Sequence, residues 1–415
     1  MASGQATDFT SDLRRRGQEA FESLPTPVQK DKGWEFTDVS GLDLDSYEIA
    51  DGADLGMEPT RSPVVSPDGQ PGIWSVESGY ERRGGELPDG VIVAPLVEAV
   101  EEHGELVERY LGSLLTDRDK FTAQNTARWH AGAFVYVPSG VRVEDPIVLS
   151  SLQGVEGAIH WRSLVVVEDG AEAVVAEQYM STRDDLDAYF NPVTELIVGE
   201  GANVEYLCVQ DLSERTWILG SQRAQVAANA NLHWVGLGLG SGQGKLRMET
   251  DINGAGASAR VTGAYAGHGK QHLDYETTQE HAAPHTTSDL AFRGVLRDRA
   301  TAVWSGMIKV DPGAQRTDAF QESRNLLLTD GAHADAIPGL EIEANDVRCT
   351  HAATVARLDD TQLFYLQSRG LPRADAERLL VGGFLGVVAG RLEDSRFLHG
   401  PVQLALEREL EIVLA

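Results

Sequence analysis

Thiols, lysines and long apolar runs are what this sequence has least of. Cysteine occurs twice, at Cys208 and Cys349. Two thiols cannot build a disulfide framework, so a reducing cytoplasm is the expected location. No stretch approaches the ~18–20 consecutive apolar residues of a membrane span. Met1–Thr10 also lacks the basic segment followed by an apolar core that marks a secretory signal. Positive charge is scarce: 35 Lys and Arg stand against 64 Asp and Glu, a formal net charge of −29. Such a surface repels phosphate backbones and anionic lipid, which argues against nucleic-acid binding and membrane association. Only six of the basic residues are lysines, at positions 30, 32, 120, 245, 270 and 309. Many carboxylates with few lysines read as adaptation to a salt-rich cytoplasm, where ions screen self-repulsion. A halophilic archaeal source is the expectation; an ordinary acidic protein of a GC-rich genome is the bland alternative.

What is present is ample for a folded core. The 415 residues are 42% hydrophobic, which suits two or three structural units. Three zones are expected. Residues 1–118 read as a helical and loop region: Ser11 is placed to cap a helix carrying Leu13, Ala20, Phe21 and Leu24, and Pro25 stops it. After a Pro-rich loop, Leu96, Val100, Val107, Leu111 and Leu114 resume a helical spacing. Residues 119–356 alternate like short strands, including Phe134–Val137, Ser163–Val167, Ala173–Ala176, Glu195–Val198 and Val204–Val209. Small or turn residues recur at Val141, Ala171, Ala202, Ala230, Ala257, Thr286, Ala314 and Ala344, in steps of about 27 to 31 residues. A fixed period without helices predicts a β-solenoid, with a long β-sandwich as the alternative. Residues 357–415 turn helical. Asp359 or Asp360 caps a short helix ending at Gly370, and Pro372 suits the start of the next. Ala376, Leu379, Leu380, Gly383, Phe384, Val387 and Val388 form an apolar stripe, and Pro401 opens a last helix.

Familiar catalytic motifs fail on inspection. The glycine-rich run from Gly236 to Lys245 is no phosphate loop, because the first glycine of that motif falls on Leu239 and its hydroxyl on Leu246. Gly254-Ala-Gly256-Ala-Ser-Ala259 satisfies a dinucleotide pattern but opens alternating residues, so no helix N-terminus meets a phosphate. His268, His272, His281 and His285 have a spacing that suits a metal on helices. On strands, side chains four residues apart lie about 13 Å apart at ~3.3 Å per residue, so these histidines are expected to line coil faces instead. Cys349-Thr350-His351 differs. Along a strand Cys349 and His351 share a face, which makes them candidate ligands for iron or zinc. Two ligands fall short of the four that an iron–sulfur cluster typically takes, so any cluster would be transient or shared with another chain. A buried cysteine beside a surface histidine is the plainer reading of the same residues.

A family resemblance then enters on long ordered motifs. The run from Ala300-Thr-Ala-Val-Trp-Ser-Gly-Met-Ile-Lys309 through Asp318-Ala-Phe-Gln321 resembles the SufB/SufD family. So do Arg324-Asn-Leu-Leu-Leu328, Ile337-Pro-Gly-Leu-Glu-Ile342, Asp346-Val-Arg-Cys-Thr-His351, Leu363-Phe-Tyr-Leu-Gln-Ser-Arg-Gly370 and His281-Ala-Ala-Pro-His285. The SufD side of the family is the nearer one. Leu24-Pro-Thr-Pro27 and Gly33-Trp-Glu-Phe-Thr-Asp38 match it, and Leu366 stands where SufB-like chains can carry a cysteine. Ala336 and Ala352 depart from the usual Thr and Gly of those relatives.

The resemblance implies a right-handed parallel β-helix flanked by helical ends, and membership of an iron–sulfur cluster assembly complex. It implies a non-catalytic scaffold that pairs with a SufB-like homologue and docks a SufC-like ATPase, which would supply the ATP chemistry missing here. His351, and more weakly Cys349, become ligands for iron or a nascent cluster shared with SufB, none being held stably by this chain alone. Ala376, Leu379, Leu380, Phe384 and Val387 become the SufC dock. A SufB-like paralogue, a purely structural partner and a homodimer in isolation are the other readings, and a β-helical carbohydrate enzyme is disfavoured. If the acidic composition is a salt adaptation, the melting temperature of the purified chain will climb as KCl is raised from low to molar concentration. A midpoint that stays flat removes that reading.

Overall fold

Strands of the central zone bury one face against the opposite wall, except in the last coil, and the chain achieves this by winding. The computed structural model describes residues 2–51 and 54–415, so Met1, Gly52 and Ala53 of the predicted N-terminal zone lie outside it. Helix α1 (Ala2–Ser23) comes first, then strands β1 (Gly72–Val76), β2 (Gly79–Arg83) and β3 (Ile92–Pro95), then helices α2 (Leu96–Glu102), α3 (Gly104–Tyr110) and α4 (Lys120–Arg128). Eight two-strand coils follow. They are β4 with β5 (Ala131–Val137, Ile147–Gln153), β6 with β7 (Gly157–Val167, Glu172–Ser181) and β8 with β9 (Ala188–Val198, Asn203–Asp211). Next come β10 with β11 (Trp217–Val226, Asn231–Gly238), β12 with β13 (Gln243–Ile252, Ser258–Gly267) and β14 with β15 (His272–His281, Thr287–Leu296). The last two are β16 with β17 (Thr301–Val310, Asp318–Leu327) and β18 with β19 (His333–Ile342, Arg348–Arg357). Helices α5 (Asp360–Ser368), α6 (Arg373–Gly390) and α7 (His399–Leu414) end the chain.

Even-numbered strands from β4 to β18 stack in parallel register as one wall, odd-numbered strands from β5 to β19 as the other, giving a β-solenoid. The predicted small residues mark one corner. Ala171, Ala202, Ala230 and Ala257 are fully buried there. Each carbonyl accepts from the first strand residue one coil on, as in Asn203 N to Ala171 O at 2.9 Å and Thr287 N to Ala257 O at 3.0 Å. The corner before β17 is longer, so the ladder position passes from the predicted Ala314 to Thr317, whose carbonyl accepts from Arg348 N at 2.8 Å. Between the walls lie stacked aromatics: Tyr265 and Tyr275 are parallel at 5.6 Å, and Tyr206 meets Trp234 edge-on at 5.8 Å. Glycines make room for them. A Cβ on Gly238 would sit 2.0 Å from the Tyr275 hydroxyl. The glycine-rich run around Gly236 is therefore packing space at a coil corner, and Gly254–Ala259 leads into β13.

The helical ends clothe the outer faces. Leu13, Leu96, Val107 and Leu111 pack on Phe134, Leu164 and Val166 of the even wall. A buried ion pair pins this layer. Arg162 Nη2 donates to Glu195 and to the Leu115 carbonyl, and Glu195 also accepts from the Gly112 and Leu114 backbone at 2.9 and 2.8 Å. On the odd wall, Val388, Leu392, Val402 and Leu406 cover Leu207, Val235 and Leu237, while Val381, Leu385 and Leu410 cover Ala266 and Val295. Several expectations change in detail. Helix α1 begins well before Ser11, which lies inside it. The helical stretch after Pro95 breaks at His103 into α2 and α3. Strands β1, β2 and β3 fall inside the zone read as helix and loop, and α4 opens the zone read as strands. Asp359 is the cap of α5, its side chain accepting from Thr361 N.

One acid on α7 carries an unusual burden. Glu409 is fully buried and neither carboxylate oxygen has a hydrogen-bond partner. Burial pushes its titration up to about 8; Asp211 adds to the rise, and Arg61, 3.8 Å away, and Arg408 oppose it. The folded state therefore holds this proton more tightly than the unfolded chain does. The stability it contributes is complete below the usual carboxyl range and is lost as pH climbs to about 8. Glu409→Gln is expected to match the parent in denaturant unfolding near pH 4. It should exceed the parent by about 1–3 kcal/mol near pH 9.

Candidate functional site

The two ends of the solenoid differ. At the first end, β2 runs antiparallel on β1 and carries Glu81, Arg82 and Arg83, while the four-residue β3 runs antiparallel on β4 and passes straight into α2. Short strands and charges of this kind blunt an edge. At the last end, β18 and β19 each run ten residues, and each has a strand on one side only. Their inward positions continue the columns of the preceding coil. Ala336, Pro338, Leu340 and Ile342 stand in register with Trp304, Gly306, Ile308 and Val310, and Cys349, His351, Ala353 and Val355 with Ala319, Gln321, Ser323 and Asn325. The residues of the preceding coil are buried, whereas Leu340, Ile342, His351 and Val355 are exposed. The interior layer of the last coil is thus an open mouth with no layer of the described residues above it. Ile337, on the outer face of β18, is exposed beside it.

Cys349 and His351 both lie in this mouth, on one face of β19 as strand alternation requires. Their Cα atoms are roughly 6.6 Å apart at ~3.3 Å per residue, close enough to bind one ion or two corners of a cluster. Cys349 is half-buried against Ile308, Val310 and Ala319. That burial, with the Asp318 carboxylate nearby, raises its thiol above the usual range, so a bound metal or a partner's positive charge must draw off the proton. Among the described residues no group of three or more His, Cys, Asp or Glu side chains is gathered for a metal ion. The donor types fit iron and iron–sulfur species; the donor number is half of what a cluster takes. Cys208 does not help. It lies in β9, five strands away along its wall, roughly 24 Å at ~4.8 Å per strand. There it is buried, its Sγ accepts from Gln222 at 3.1 Å, and burial pushes its thiol up to about 12.

The four spaced histidines do not converge on one point, and two of them are tied to neighbouring hydroxyls. His272 meets the hydroxyls of Thr37 and Thr301 at 3.1 and 2.7 Å, and His281 those of Thr286 and Ser288 at 2.8 and 2.9 Å. His268 faces Glu214, and His285 takes a positive φ at a corner.

The stripe on α6 divides. Val381, Leu385 and Val388 turn to the solenoid, Ala376 is fully buried, and Leu380 and Phe384 are half-buried. Leu379 and Val387 face outward, 57% and 46% exposed. The expected single stripe is in fact two faces: the helix is apolar on both sides, and Val381, Leu385 and Ala389 complete the buried one. Sequence reasoning also missed Phe364 and Tyr365 on α5, 72% and 55% exposed. Two adjacent aromatics off the buried side of a nine-residue helix were the available signal.

Comparison with known proteins agrees with this architecture. Residues 150–384 match the family described as SUF system FeS cluster assembly, SufBD core domain, and residues 77–149 match the SufBD protein N-terminal region. The iron-sulfur cluster assembly protein SufD of Bacillus subtilis is 32% identical over 405 residues, covering 94% of this chain and 91% of that protein. An iron-sulfur cluster assembly SufBD family protein of Mycobacterium tuberculosis is 32% identical over 303 residues, 71% of this chain and 75% of its own. One from Synechocystis is 26% identical over 405 residues, 94% and 89%. With its core domain matched across most of the solenoid and a SufD aligned along nearly its whole length, this chain belongs to the SufBD family of iron–sulfur cluster assembly proteins and is SufD-like.

Proposed function

We propose that this chain is a non-catalytic scaffold subunit that completes its open coil against the matching coil of a SufB-like homologue. The observation that carries the reading is the unfinished mouth. Two ten-residue edge strands and an uncovered apolar layer favour pairing with a strand of like shape, which extends both walls across two chains. The same junction brings Cys349 and His351 against whatever ligands the homologue offers. Iron and sulfide are cargo here, held for a time between chains, since two donors fall short of a full set.

A second surface supports a second partner. Phe364, Tyr365, Leu379 and Val387 leave α5 and α6 with apolar side chains in water after the solenoid has been covered. Exposed aromatics and aliphatics of this kind suit a protein dock, here for a SufC-like ATPase. Closure of two ATPase subunits on ATP would twist the paired solenoids and open the contact around Cys349 and His351. The chain's own work is to hold those donors and transmit the twist. A purely structural subunit keeps the pairing and loses the ligand role.

Two measurements test these parts separately. His351→Ala is expected to lower iron–sulfur enzyme maturation in cells while co-purification with the SufB-like partner stays unchanged. Normal maturation would leave only the structural role. Removing residues 357–415 would strip an apolar wall, so the dock is better tested by the pair Phe364→Asp and Leu379→Asp. The pair is expected to weaken ATPase capture by about thirtyfold, equivalent to ~2 kcal/mol, without moving the melting temperature. Undiminished capture places the dock elsewhere.

A further inference from the structure

Directly beneath His351 in the stack lies a side chain with half of its hydrogen bonding fixed and half unused. Gln321 is fully buried in β17. It reaches across the solenoid interior, and its Nε2 donates to the carbonyls of Gly306 at 3.2 Å and Gly339 at 3.0 Å. Both partners are carbonyls and cannot donate, so the amide can stand only one way round. That leaves Oε1 as the free acceptor, and it is buried with no partner. A buried acceptor without a donor is costly, so a donor within reach is strongly favoured. β17 and β19 pair in register with Gln321 opposite His351, which stacks the two side chains on the same inward face at roughly 4.8 Å between strands.

Resting on the reading of His351 as a ligand, we propose that Gln321 is its positioning residue: the amide oxygen accepts a hydrogen bond from the Nδ1–H of His351, leaving Nε2 bare and turned to the mouth. Nδ1 is the ring nitrogen closer to the β19 backbone, which is paired with β17, and Nε2 is at the far side of the ring. A neutral imidazole binds iron through the nitrogen that carries no proton, and the bond made by the other nitrogen decides which one that is. Gln321 can hold this geometry because its nitrogen is anchored to two backbone carbonyls of the opposite wall. Trp304 is the competing donor. Its indole N–H is also buried without a partner, and its ring edge and Gln321 Oε1 both crowd the space over Gly306.

The test reads the ring directly, without loaded metal. The full chain is labelled with 15N-histidine and studied at a pH where the imidazole is neutral, the His351 signal being assigned by its loss in His351→Asn. The proposal expects the Nδ1–H form to dominate, although water alone favours Nε2–H. Gln321→Leu should return the ring to a mostly Nε2–H mixture. A dominant Nε2–H form in the unaltered chain overturns the proposal and needs no variant to fold. A tautomer unmoved by Gln321→Leu also overturns it and leaves Trp304 as the amide's partner. Failure of the ligand reading is separate: it shows as normal maturation with His351→Ala, whatever the tautomer.

Discussion

A coil of two strands cannot bury its own inner face, and the rest of this molecule follows from that limit. Each inward layer is dry only when another layer lies above it. In-register parallel stacking solves the problem for every coil but the first and the last. It also explains the residue choices along the corners and the interior. Alanines fit where one coil's carbonyl must meet the next coil's amide, and glycines stand where an aromatic from a facing strand needs the volume of a side chain.

The two ends meet the limit differently. The first is closed by short antiparallel strands and a layer of helices, tied down by Arg162 and Glu195 inside that layer. The last keeps full-length strands and an apolar inner face in water. Leaving such an edge bare invites association, so a protein that retains one gains by having a specific partner for it. Part of each outer face is covered too, with α6 and α7 laid along the odd wall and α1 to α4 along the earlier strands of the even wall. Among the exposed apolar side chains, one group lies at the mouth and another on the outward side of α5 and α6, with Leu404 on α7 and Val28, Phe36, Ile49 and Leu55 in the N-terminal loop standing apart.

The mouth is chemically incomplete in the same sense as it is structurally incomplete. Cys349 and His351 are the inward side chains of a layer that lacks its neighbour, so any further donors beside them would have to come from beyond this coil. Cys208 shows the contrast: an equivalent inward thiol deep in the stack is held protonated by burial and the nearby Glu177 carboxylate. Position along one repeat thus separates an inert cysteine from an available one, although both occupy the same kind of site on a strand.

The sequence by itself determined the repeat, the strand alternation and the shared face of Cys349 and His351, because period and side-chain direction are local properties of a strand. It also carried the cap and stop of α5, Asp359 and Gly370, whereas α7 begins at His399, two residues before the expected Pro401. Strands β1 to β3 escaped it, being four or five residues long within a loop-rich zone; they form because the first coil needs an edge to be covered. The division of α6 into a buried and a free side escaped it too, since a helix apolar on both faces gives no period to choose between them. Only the tertiary structure decided that the last coil stays open, that His272 and His281 are tied to hydroxyls, and that Gln321 lies under His351 with one acceptor to spare. Each of these depends on which strand lies next to which, and on where the stacking stops.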